Sequence, residues 1–404
     1  MSTKLRRDGA TAWWLPGICL VLTGWCANQY VSLINWYQQF RQLSEFEAML
    51  VMGSYLLGMI PALALGGPLT DRFGRKLFSL VALSSSVLGS LVMIYGSLNV
   101  AGLYAGRVFT GLGMGLAMVA ITSWVKFLSP GTAGATRAAL CTSLGFAVGP
   151  VISGIVVGIS AHPEIAYLIH ALAAMAWLVL IIVSSEEPVA QQPRIDPRMA
   201  EPSAGTTTSA NLRRFYRVVL PAAPWVFGMA ATGFAVVPAL SDGAGGSNLF
   251  YSTIAVAVTM GMGTVIQPLV RRFNDVRKVW LLLAGLGTAM IALLLMIVVS
   301  LSGSQLLGVL TFVIAGCANG ILLVAGLSQV LDLAGPADLG KLTGRFYMVC
   351  FIGFTFPTLF AMWRLIAAPE IFIGILAVLC ALSMAQVYRA RHELPKTGVE
   401  QLRF

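Results

Sequence analysis

Residues 67–76 read GPLTDRFGRK, a charged segment that lies between two long apolar runs. The segment places one carboxylate, Asp71, among three cations within a few positions. Charge this dense between apolar runs predicts a polar turn that joins two helices crossing an apolar medium. The composition of the rest of the chain decides whether that medium is a protein core or a lipid bilayer.

The composition indicates a lipid bilayer. The chain has 404 residues, of which 57% are hydrophobic and only 10% are charged, whereas a soluble domain has about 25% charged residues. Most of the surface therefore cannot face water, and this excludes a soluble enzyme. The net charge of +10 is divided into small groups between apolar runs, a distribution typical of membrane topology and not of a nucleic-acid surface.

Twelve apolar runs are long enough to cross the hydrocarbon core, which takes roughly twenty residues of helix. They predict an all-α membrane protein with twelve transmembrane helices. The predicted spans are 15–38, 46–67, 77–96, 101–126, 138–160, 165–184, 215–239, 249–270, 279–300, 305–330, 342–365 and 369–389.

The cations assign an orientation to these spans. With the N-terminus in the cytoplasm, nearly all Lys and Arg residues lie on the cytoplasmic side; Arg41 and Arg364 lie outside, and Arg107 lies within a span. Cytoplasmic loops of membrane proteins carry an excess of Lys and Arg. We therefore expect both termini in the cytoplasm and the chain in the plasma (inner) membrane.

A polar stretch divides the chain in two. Residues 185–211 contain four prolines, mixed charge and a run of Gly, Thr and Ser, which is typical of a flexible linker. We expect four parts: an N-terminal six-helix bundle at 1–184, a cytoplasmic linker at 185–214, a C-terminal six-helix bundle at 215–389 and a cytoplasmic tail at 390–404.

The two halves carry matching motifs in the same order, at an offset that drifts only between 200 and 208 positions. Such collinear matches indicate a duplicated six-helix unit, and hence two bundles related by pseudo-two-fold symmetry. The matches are 67–74 with 267–274, the Gly-x-x-x-Gly pair 111–115 with 316–320, Arg137 with Arg345, and Pro150 with Pro357.

The loop at 67–76 resembles a motif of the major facilitator superfamily: Gly, three residues, Asp, a basic residue, any residue, Gly and two basic residues. The resemblance implies the major facilitator fold, alternating access, and a cytoplasmic gate that stabilises the outward-facing form. In such a gate a carboxylate pairs with neighbouring Arg and with a helix N-terminus. The second copy has Arg271 in place of the Asp, so we expect asymmetric gating. The gating positions are Gly67, Asp71, Arg72, Gly74, Arg75 and Lys76.

Span four is similar to a second motif of the family, an intramembrane Arg followed by spaced glycines, with Arg107 ahead of Gly111, Gly113 and Gly115. An Arg within the bilayer costs roughly 2.5–3.5 kcal/mol on insertion scales, so it normally faces a partner or a wet cavity. Two interpretations stay open. Arg107 is either a cavity cation in proton coupling or substrate binding, or a side chain that extends to the outer surface.

Span five resembles the motif associated with exporters of the family, Gly-Pro, two residues, Gly-Gly, but with Ser153 for the first of the final glycines. The resemblance implies export. Glycine and proline here allow close helix approach and a bend, and helix packing alone is the alternative explanation. The helix-bend positions are Gly145, Gly149, Pro150 and Gly154.

Span one has a polar and aromatic face whose members recur at spacings of three and four. They are Trp25, Asn28, Ser32, Asn35 and Gln39, with Gln29 and Trp36 beside them. At mid-membrane depth such a face predicts a solute cavity, and Asn319 in span ten could contribute to it from the other half. Hydrogen-bonded helix packing is the alternative.

The acidic residues, from Asp8 to Glu400, all lie at span ends, in loops or in tails. Many drug–proton antiporters of the family keep a carboxylate deep in the membrane, and this chain lacks that device. The candidates for proton coupling are Asp71, Glu45, Glu47 and His170, the last of which is also consistent with a packed neutral imidazole. An Arg without an acid favours an anionic or zwitterionic solute.

Three functions follow from these observations. The leading hypothesis is a secondary exporter of amphipathic small molecules, with protons as the candidate coupling ion. The second is uptake or exchange of an anionic metabolite centred on Arg107. The third is a membrane sensor or lipid-handling protein with little flux.

The expected partners are a small-molecule substrate, protons and membrane lipid, without nucleic acid. One twelve-helix bundle suffices for alternating access, so we expect a monomer. No GxxxxGK[ST] loop occurs, and the six cysteines show no paired spacing, so we expect neither an enzyme nor ATP-driven transport nor a metal or other cofactor.

Overall fold

The computed structural model describes residues 13–129, 133–184, 207–241, 249–334 and 339–393. Residues 185–206 of the predicted linker and 394–404 of the predicted tail lie outside the described residues. Within the described ranges every regular element is a helix, and twelve helices are long and apolar enough to cross a membrane. They are α1 (Trp14–Arg41), α2 (Glu45–Gly67), α3 (Arg75–Gly96), α4 (Val100–Lys126), α5 (Arg137–Ser160), α6 (Pro163–Val183), α7 (Ser209–Leu240), α8 (Leu249–Arg271), α9 (Trp280–Ser302), α10 (Gln305–Leu333), α11 (Lys341–Trp363) and α12 (Pro369–His392).

The predicted number of spans is confirmed, and their ends lie within a few residues of those predicted. The largest difference is at α7, which begins at Ser209 and not at 215. The cause is a cap: the Thr208 hydroxyl accepts the N–H of Asn211 at 3.2 Å, which satisfies a donor at the helix start. At α2, Ser44 and Glu47 form a reciprocal capping box, so Glu47 has a structural role there.

The chain divides into two compact units. The first comprises Met1–Val189 with Gly246–Ala257, and the second comprises Ala190–Gly245 with Val258–Phe404. The first turns of α8 therefore belong to the first unit, whereas the predicted boundaries assign all of α8 to the C-terminal bundle. Those predicted boundaries stay a prediction.

The two units repeat one packing scheme. In the first unit α4 packs on α3, α1 on α5 and α3 on α6, and α4 also packs on α2. In the second unit α10 packs on α9, α7 on α11 and α9 on α12. Each of these last three pairs lies six helices after its counterpart, which supports the duplication predicted from the sequence motifs.

Glycines occupy equivalent helix crossings in both units. A Cβ on Gly24 of α1 would lie 3.2 Å from the Cα of Gly145 in α5, and one on Gly228 of α7 would lie 3.4 Å from the Cα of Gly353 in α11. In lipid, apolar helices gain little from burying apolar surface against each other, so close packing through small residues supplies much of their attraction. Gly145, a glycine of the predicted span-five motif, is therefore part of a helix contact.

We expect Gly111→Ala to lower the free energy of unfolding by about 1–3 kcal/mol, the usual cost of overpacking. The added methyl group would overlap the carbonyl oxygen of Tyr55 in α2. Gly287→Ala is the matched control, because a Cβ there meets no atom within 4 Å. A detergent titration of the purified variants measures the free energy of unfolding of each. Equal stability of Gly111→Ala and Gly287→Ala would contradict the close packing at Gly111.

Candidate functional site

Arg107 lies inside the first unit, with only 1% of the residue exposed. Its guanidinium donates to the carbonyl of Ala27 in α1 at 2.6 Å and to the carbonyl of Met52 in α2 at 3.1 Å. The guanidinium carbon also lies 4.8 Å from the ring centre of Tyr55 and 5.7 Å from that of Tyr30. Carbonyl dipoles and aromatic faces thus take the place of water around this charge.

These contacts make Arg107 a link between α1, α2 and α4. Ala27 lies in the last turn before α1 changes to a 3₁₀ turn at Val31–Leu33, and carbonyls at such a helix end lack their α-helical partners. The Nε of Arg107 has no hydrogen-bond partner among the described residues. A role of Arg107 in solute binding or proton coupling stays a prediction.

A chain of three buried side chains joins α1, α3 and α6. Gln29 donates through Nε2 to the Ser90 hydroxyl at 2.8 Å, and that hydroxyl lies 2.7 Å from Nδ1 of His170. The Nε2 of His170 lies 3.0 Å from the carbonyl of Leu22, which can only accept. In a neutral imidazole the network therefore assigns the proton to Nε2, and the Ser90 hydroxyl then donates to Nδ1. This arrangement agrees with the packed neutral His170 of the sequence analysis, and proton coupling through His170 stays a prediction.

Asn28 lies against α5, close to the backbone carbonyl that Pro150 leaves without a helical hydrogen bond. A proline has no N–H, so Pro150 leaves the carbonyl of Phe146, four residues earlier, without its helical partner. Asn28 donates to that carbonyl through Nδ2 in a long hydrogen bond of 3.4 Å. The α-helix runs from Ala133 to Ser160 without a change of helix type at Pro150, so the predicted bend stays a prediction.

The glycines that flank Pro150 are sites of close approach. A Cβ on Gly149 would lie 2.5 Å from the carbonyl oxygen of Trp25 in α1. A Cβ on Gly154 would overlap the side chain of Thr253, in the turns of α8 that belong to the first unit. Both glycines therefore bring α5 against other helices.

The polar face of α1 lies against neighbouring helices of the first unit. Asn35 donates to the Ser252 hydroxyl in α8 at 2.6 Å, and the Trp25 ring packs edge-on against His170, 5.4 Å between ring centres. The Nε1 of Trp25 and the hydroxyl of Ser32 are buried without a partner among the described residues. Helix packing, the alternative in the sequence analysis, accounts for the contacts of Asn28, Gln29 and Asn35.

A cavity of about 760 Å³ lies between α1, α5 and the first turns of α8, entirely within the first unit. We call it the α1–α5–α8 cavity. Its volume lies within the range of small-molecule sites, about 300–1,000 Å³. Its described lining residues are apolar side chains and glycines together with Trp36, Gln39 and Thr253, and none of them is charged. The Nε1 of Trp36 is buried and has no partner in the part of the chain that the structure describes.

In the second unit, Asn319 of α10 donates through Nδ2 to the carbonyl of Val226 in α7 at 2.8 Å. Beside this contact, aromatic rings of α7 and α11 pack together. The centres of Phe227 and Phe351 lie 4.3 Å apart, and Phe354 lies 5.7 Å from each of them. Asn319 therefore links two helices of its own unit, and its contact with a solute stays a prediction.

The charged loop is a one-residue turn between two helices. The α-helix that includes α2 continues to Phe73, and α3 begins at Arg75, so Gly74 alone separates them. Gly74 has a φ of 95° and a ψ of 150°, a backbone region that is essentially limited to glycine. Arg72 lies over the Phe73 ring at 5.1 Å.

The remaining gating residues lie on either side of this turn. Gly67 lies in α2, where an added Cβ would meet no atom within 4 Å, and Arg75 and Lys76 occupy the first turn of α3. The side chain of Asp71 lies outside what the structure describes. The ion pair of the gate therefore stays a prediction.

The second copy of the loop has a carboxylate that the motif comparison missed. Asp275, next to Asn274, accepts the N–H of Arg277 at 3.0 Å and lies 3.4 Å from Nζ of Lys278. The N–H of Arg277 and the charge of Lys278 hold the pKa of Asp275 below its ordinary value. This carboxylate pairs within its own loop, and the sequence signal was its position directly after QPLVRRFN.

Ser90 is a further residue that sequence reasoning missed. The α3 helix reads as an apolar run with scattered serines, and the four-residue spacing of Ser86 and Ser90 is the only signal that they share a face. No local sequence pattern identifies Gln29 and His170 as the hydrogen-bond partners of Ser90.

We expect Gly74→Ala to lower the free energy of unfolding by about 1–3 kcal/mol, because a Cβ is strained at this φ and ψ. Gly67→Ala, in the same motif but in open helical space, should change stability by less than about 0.5 kcal/mol. Unfolding in detergent compares the two variants. A stable Gly74→Ala protein would contradict the turn geometry.

We expect Ser90→Ala to cost about 1–2 kcal/mol of stability, because Gln29 and His170 lose their shared partner inside the membrane. Ser302→Ala is the control, because that exposed hydroxyl has only local partners: it donates to the carbonyl of Val298 in its own helix and accepts the N–H of Ser304. The same unfolding assay applies. A loss no larger than that of the control would show that the buried chain contributes nothing to stability.

Comparison with known proteins identifies a family that agrees with the twelve-helix fold. The profile of the Major Facilitator Superfamily matches residues 15–358. A triacylglyceride transporter of Mycolicibacterium hassiacum is 32% identical over 139 residues, which are 33% of this chain and 25% of that protein. The 4-hydroxybenzoate transporter PcaK of Pseudomonas aeruginosa is 41% identical over 108 residues, which are 26% of this chain and 23% of that protein. The chain thus spans about a quarter of the length of these curated relatives.

Solved structures share the fold over nearly the whole chain. A POT family transporter in complex with 5-aminolevulinic acid has a TM-score of 0.77 at 14% identity, covering 96% of this chain and 97% of that one. A D-xylose-proton symporter has a TM-score of 0.67 at 16% identity, covering 92% and 96%. The chain therefore belongs to the Major Facilitator Superfamily, and it is a multi-pass integral membrane transporter and not an enzyme.

Proposed function

We propose that this chain is a secondary active transporter that exports amphipathic small molecules of low charge by alternating access. The observation that carries the proposal is the uncharged lining of the α1–α5–α8 cavity. A solute with a net charge would lose its hydration there without a compensating charge, which is costly in a low-dielectric site. An apolar solute with a few polar groups would lose little.

The contacts of Arg107 also support a solute of low charge. Its guanidinium already donates to two backbone carbonyls and lies against two tyrosine rings. An anion could claim these N–H groups only if α1 and α2 gave up their contacts with them. Arg107 therefore serves to hold helices together in the conformation described.

The direction of transport is proposed from the sequence. The Gly149-Pro150 motif of α5 resembles that of exporters, and the cations favour cytoplasmic termini in the plasma (inner) membrane. The name of the triacylglyceride transporter, which matches a third of the chain, supports an apolar solute.

A second candidate function is uptake of an anionic metabolite. The observation that favours it is the match to a transporter named for 4-hydroxybenzoate, an aromatic carboxylate, at 41% identity over 108 residues. Under this alternative, Arg107 exchanges a carbonyl contact for the carboxylate. The two candidates differ in the charge of the solute, so binding separates them.

Thermal unfolding of the full chain in lipid nanodiscs tests the class of solute. We expect a neutral amphiphile at about 100 times its Kd to stabilise the protein by about 2.7 kcal/mol, and an aromatic carboxylate of similar size to leave the midpoint unchanged. The comparison is made within the wild type, so it does not depend on the folding of an Arg107 variant. Stabilisation by the carboxylate alone would reject the proposal in favour of anion uptake.

Flux into proteoliposomes tests direction and coupling. A proton antiporter should accumulate the bound amphiphile in liposomes that are acidic inside, since outward proton flow then drives the solute inward. Accumulation only in liposomes that are alkaline inside would indicate symport and contradict export. Binding without flux under any imposed pH or voltage gradient would favour a sensor or lipid-handling protein.

A further inference from the structure

Three helices of the second unit bring their cationic ends to one corner. The Nη1 of Arg345 in α11 donates to the phenol oxygen of Tyr216 in α7 at 3.1 Å. The turn Phe215–Val219 of α7 in turn packs against α12 and against the segment Ala390–Glu393 at its end. The first turns of α7 and α11 therefore meet the last turns of α12. We call the segments 207–222, 341–352 and 386–393 the α7–α11–α12 corner.

The α7–α11–α12 corner carries a large excess of positive charge. Its three segments contain seven Lys and Arg residues but one acid, Glu393. A second acid, Asp332 at the end of α10, lies beside the corner, because Asn211 of α7 donates to the carbonyl of Leu333 at 3.1 Å. Whatever contacts the individual cations make, the corner is therefore positive as a whole. The cations are Arg213, Arg214, Arg217, Lys341, Arg345, Arg389 and Arg391.

Tyrosines place these cations at the level of lipid headgroups. Tyr216 and Tyr388 are 45% and 54% exposed, and the guanidinium carbon of Arg391 lies 3.7 Å from the ring centre of Tyr388. Tyrosine is enriched where a membrane-spanning helix passes from hydrocarbon to water, with its ring among the headgroups. Arg217, directly after Tyr216, is also exposed. The corner therefore offers its charge to the headgroup layer.

An apolar stripe on α12 leads from the membrane interior to this corner. Val378 and Leu382 are 61% and 60% exposed, and Ala385 and the exposed Arg389 continue the same helix face at spacings of three and four. Exposed apolar side chains of a membrane-spanning helix face lipid tails. One lipid can therefore place a tail along this stripe and its headgroup beside Arg389.

Charge complementarity selects an anionic headgroup. A guanidinium can donate two parallel hydrogen bonds to the oxygens of one phosphate, and juxtamembrane Lys and Arg residues attract anionic lipids. A zwitterionic headgroup would bring its own cation close to the arginines and gain less. A free phosphate has the same charge but no tail for the stripe on α12.

We propose that the α7–α11–α12 corner binds the phosphate headgroup of an anionic phospholipid. Arg217, Arg345 and Arg389 surround the headgroup, and an acyl tail lies along Val378 and Leu382. The bound lipid links the first turns of α7 to the last turns of α12. The inference goes beyond the proposed function, because it holds for any solute and for either direction of transport.

Native mass spectrometry of the full chain in detergent micelles tests the site. The probes are phosphatidylglycerol and phosphatidylcholine with identical acyl chains, and we expect phosphatidylglycerol to bind more tightly. Arg217→Gln/Arg389→Gln should weaken its binding roughly 25-fold, since each cation near an anionic lipid contributes about fivefold. Arg217→Lys/Arg389→Lys keeps both charges and should retain most of the affinity.

Arg271→Gln/Arg272→Gln is the matched control. It removes two exposed cations from the end of α8, in the same unit, and should leave the affinity for phosphatidylglycerol nearly unchanged. An excess of cations at the ends of spans is also expected from membrane topology alone, and this control separates that general charge from a defined site. All the substituted arginines are exposed, so the variants should fold, which their melting temperatures check.

Three results would overturn the inference. Equal losses in the two glutamine variants, or equal affinities for the two lipids, would show that general surface charge accounts for the binding. Displacement of the lipid by inorganic phosphate at equal concentration would show an anion site without a role for the tail. A protein that binds phosphatidylglycerol as expected but transports no amphiphile would support this site and reject the proposed function.

Discussion

Hydrocarbon offers no hydrogen-bond partner, and this constraint shapes every element of the chain. The two matching prolines illustrate it. Pro150 deprives the carbonyl of Phe146 of its N–H, and Asn28 on α1 donates to it at 3.4 Å. Pro357 does the same to the carbonyl of Gly353, and there the N–H of Phe356 supplies the bond through a 3₁₀ turn. The two repeats thus compensate for the missing N–H of a proline in different ways: α5 stays α-helical, whereas α11 forms a 3₁₀ turn.

The same constraint governs the buried charge. Arg107 can remain in the first unit because the carbonyls of Ala27 and Met52 and the ring of Tyr55 surround its guanidinium. The carbonyl of Met52 and the ring of Tyr55 lie on α2, and Gly111, which faces the carbonyl of Tyr55, permits the close approach of α2 and α4. Arg107 and the glycines that face α2, Gly111 and Gly115, are therefore linked: these glycines let α2 bring two of its groups to the guanidinium.

Polar side chains of α1 also form hydrogen bonds with neighbouring helices. Gln29 belongs to the chain that ends at His170, and Asn28 and Asn35 bond to α5 and α8. The cavity that remains is uncharged, and its walls come largely from α5 and α8. An uncharged lining of this kind desolvates an apolar group at less cost than a charged one.

The sequence by itself determined the membrane class, the twelve spans and the family, because hydropathy, span length and short motifs are local properties. It also identified the polar face of α1. Only the tertiary structure decided what that face meets. Asn28 and Asn35 are equivalent amides on one helix, yet the first bonds a carbonyl 118 residues away and the second a hydroxyl 217 residues away. Periodicity describes one helix at a time, whereas the partner of a buried polar group is set by the packing of helices distant in the chain.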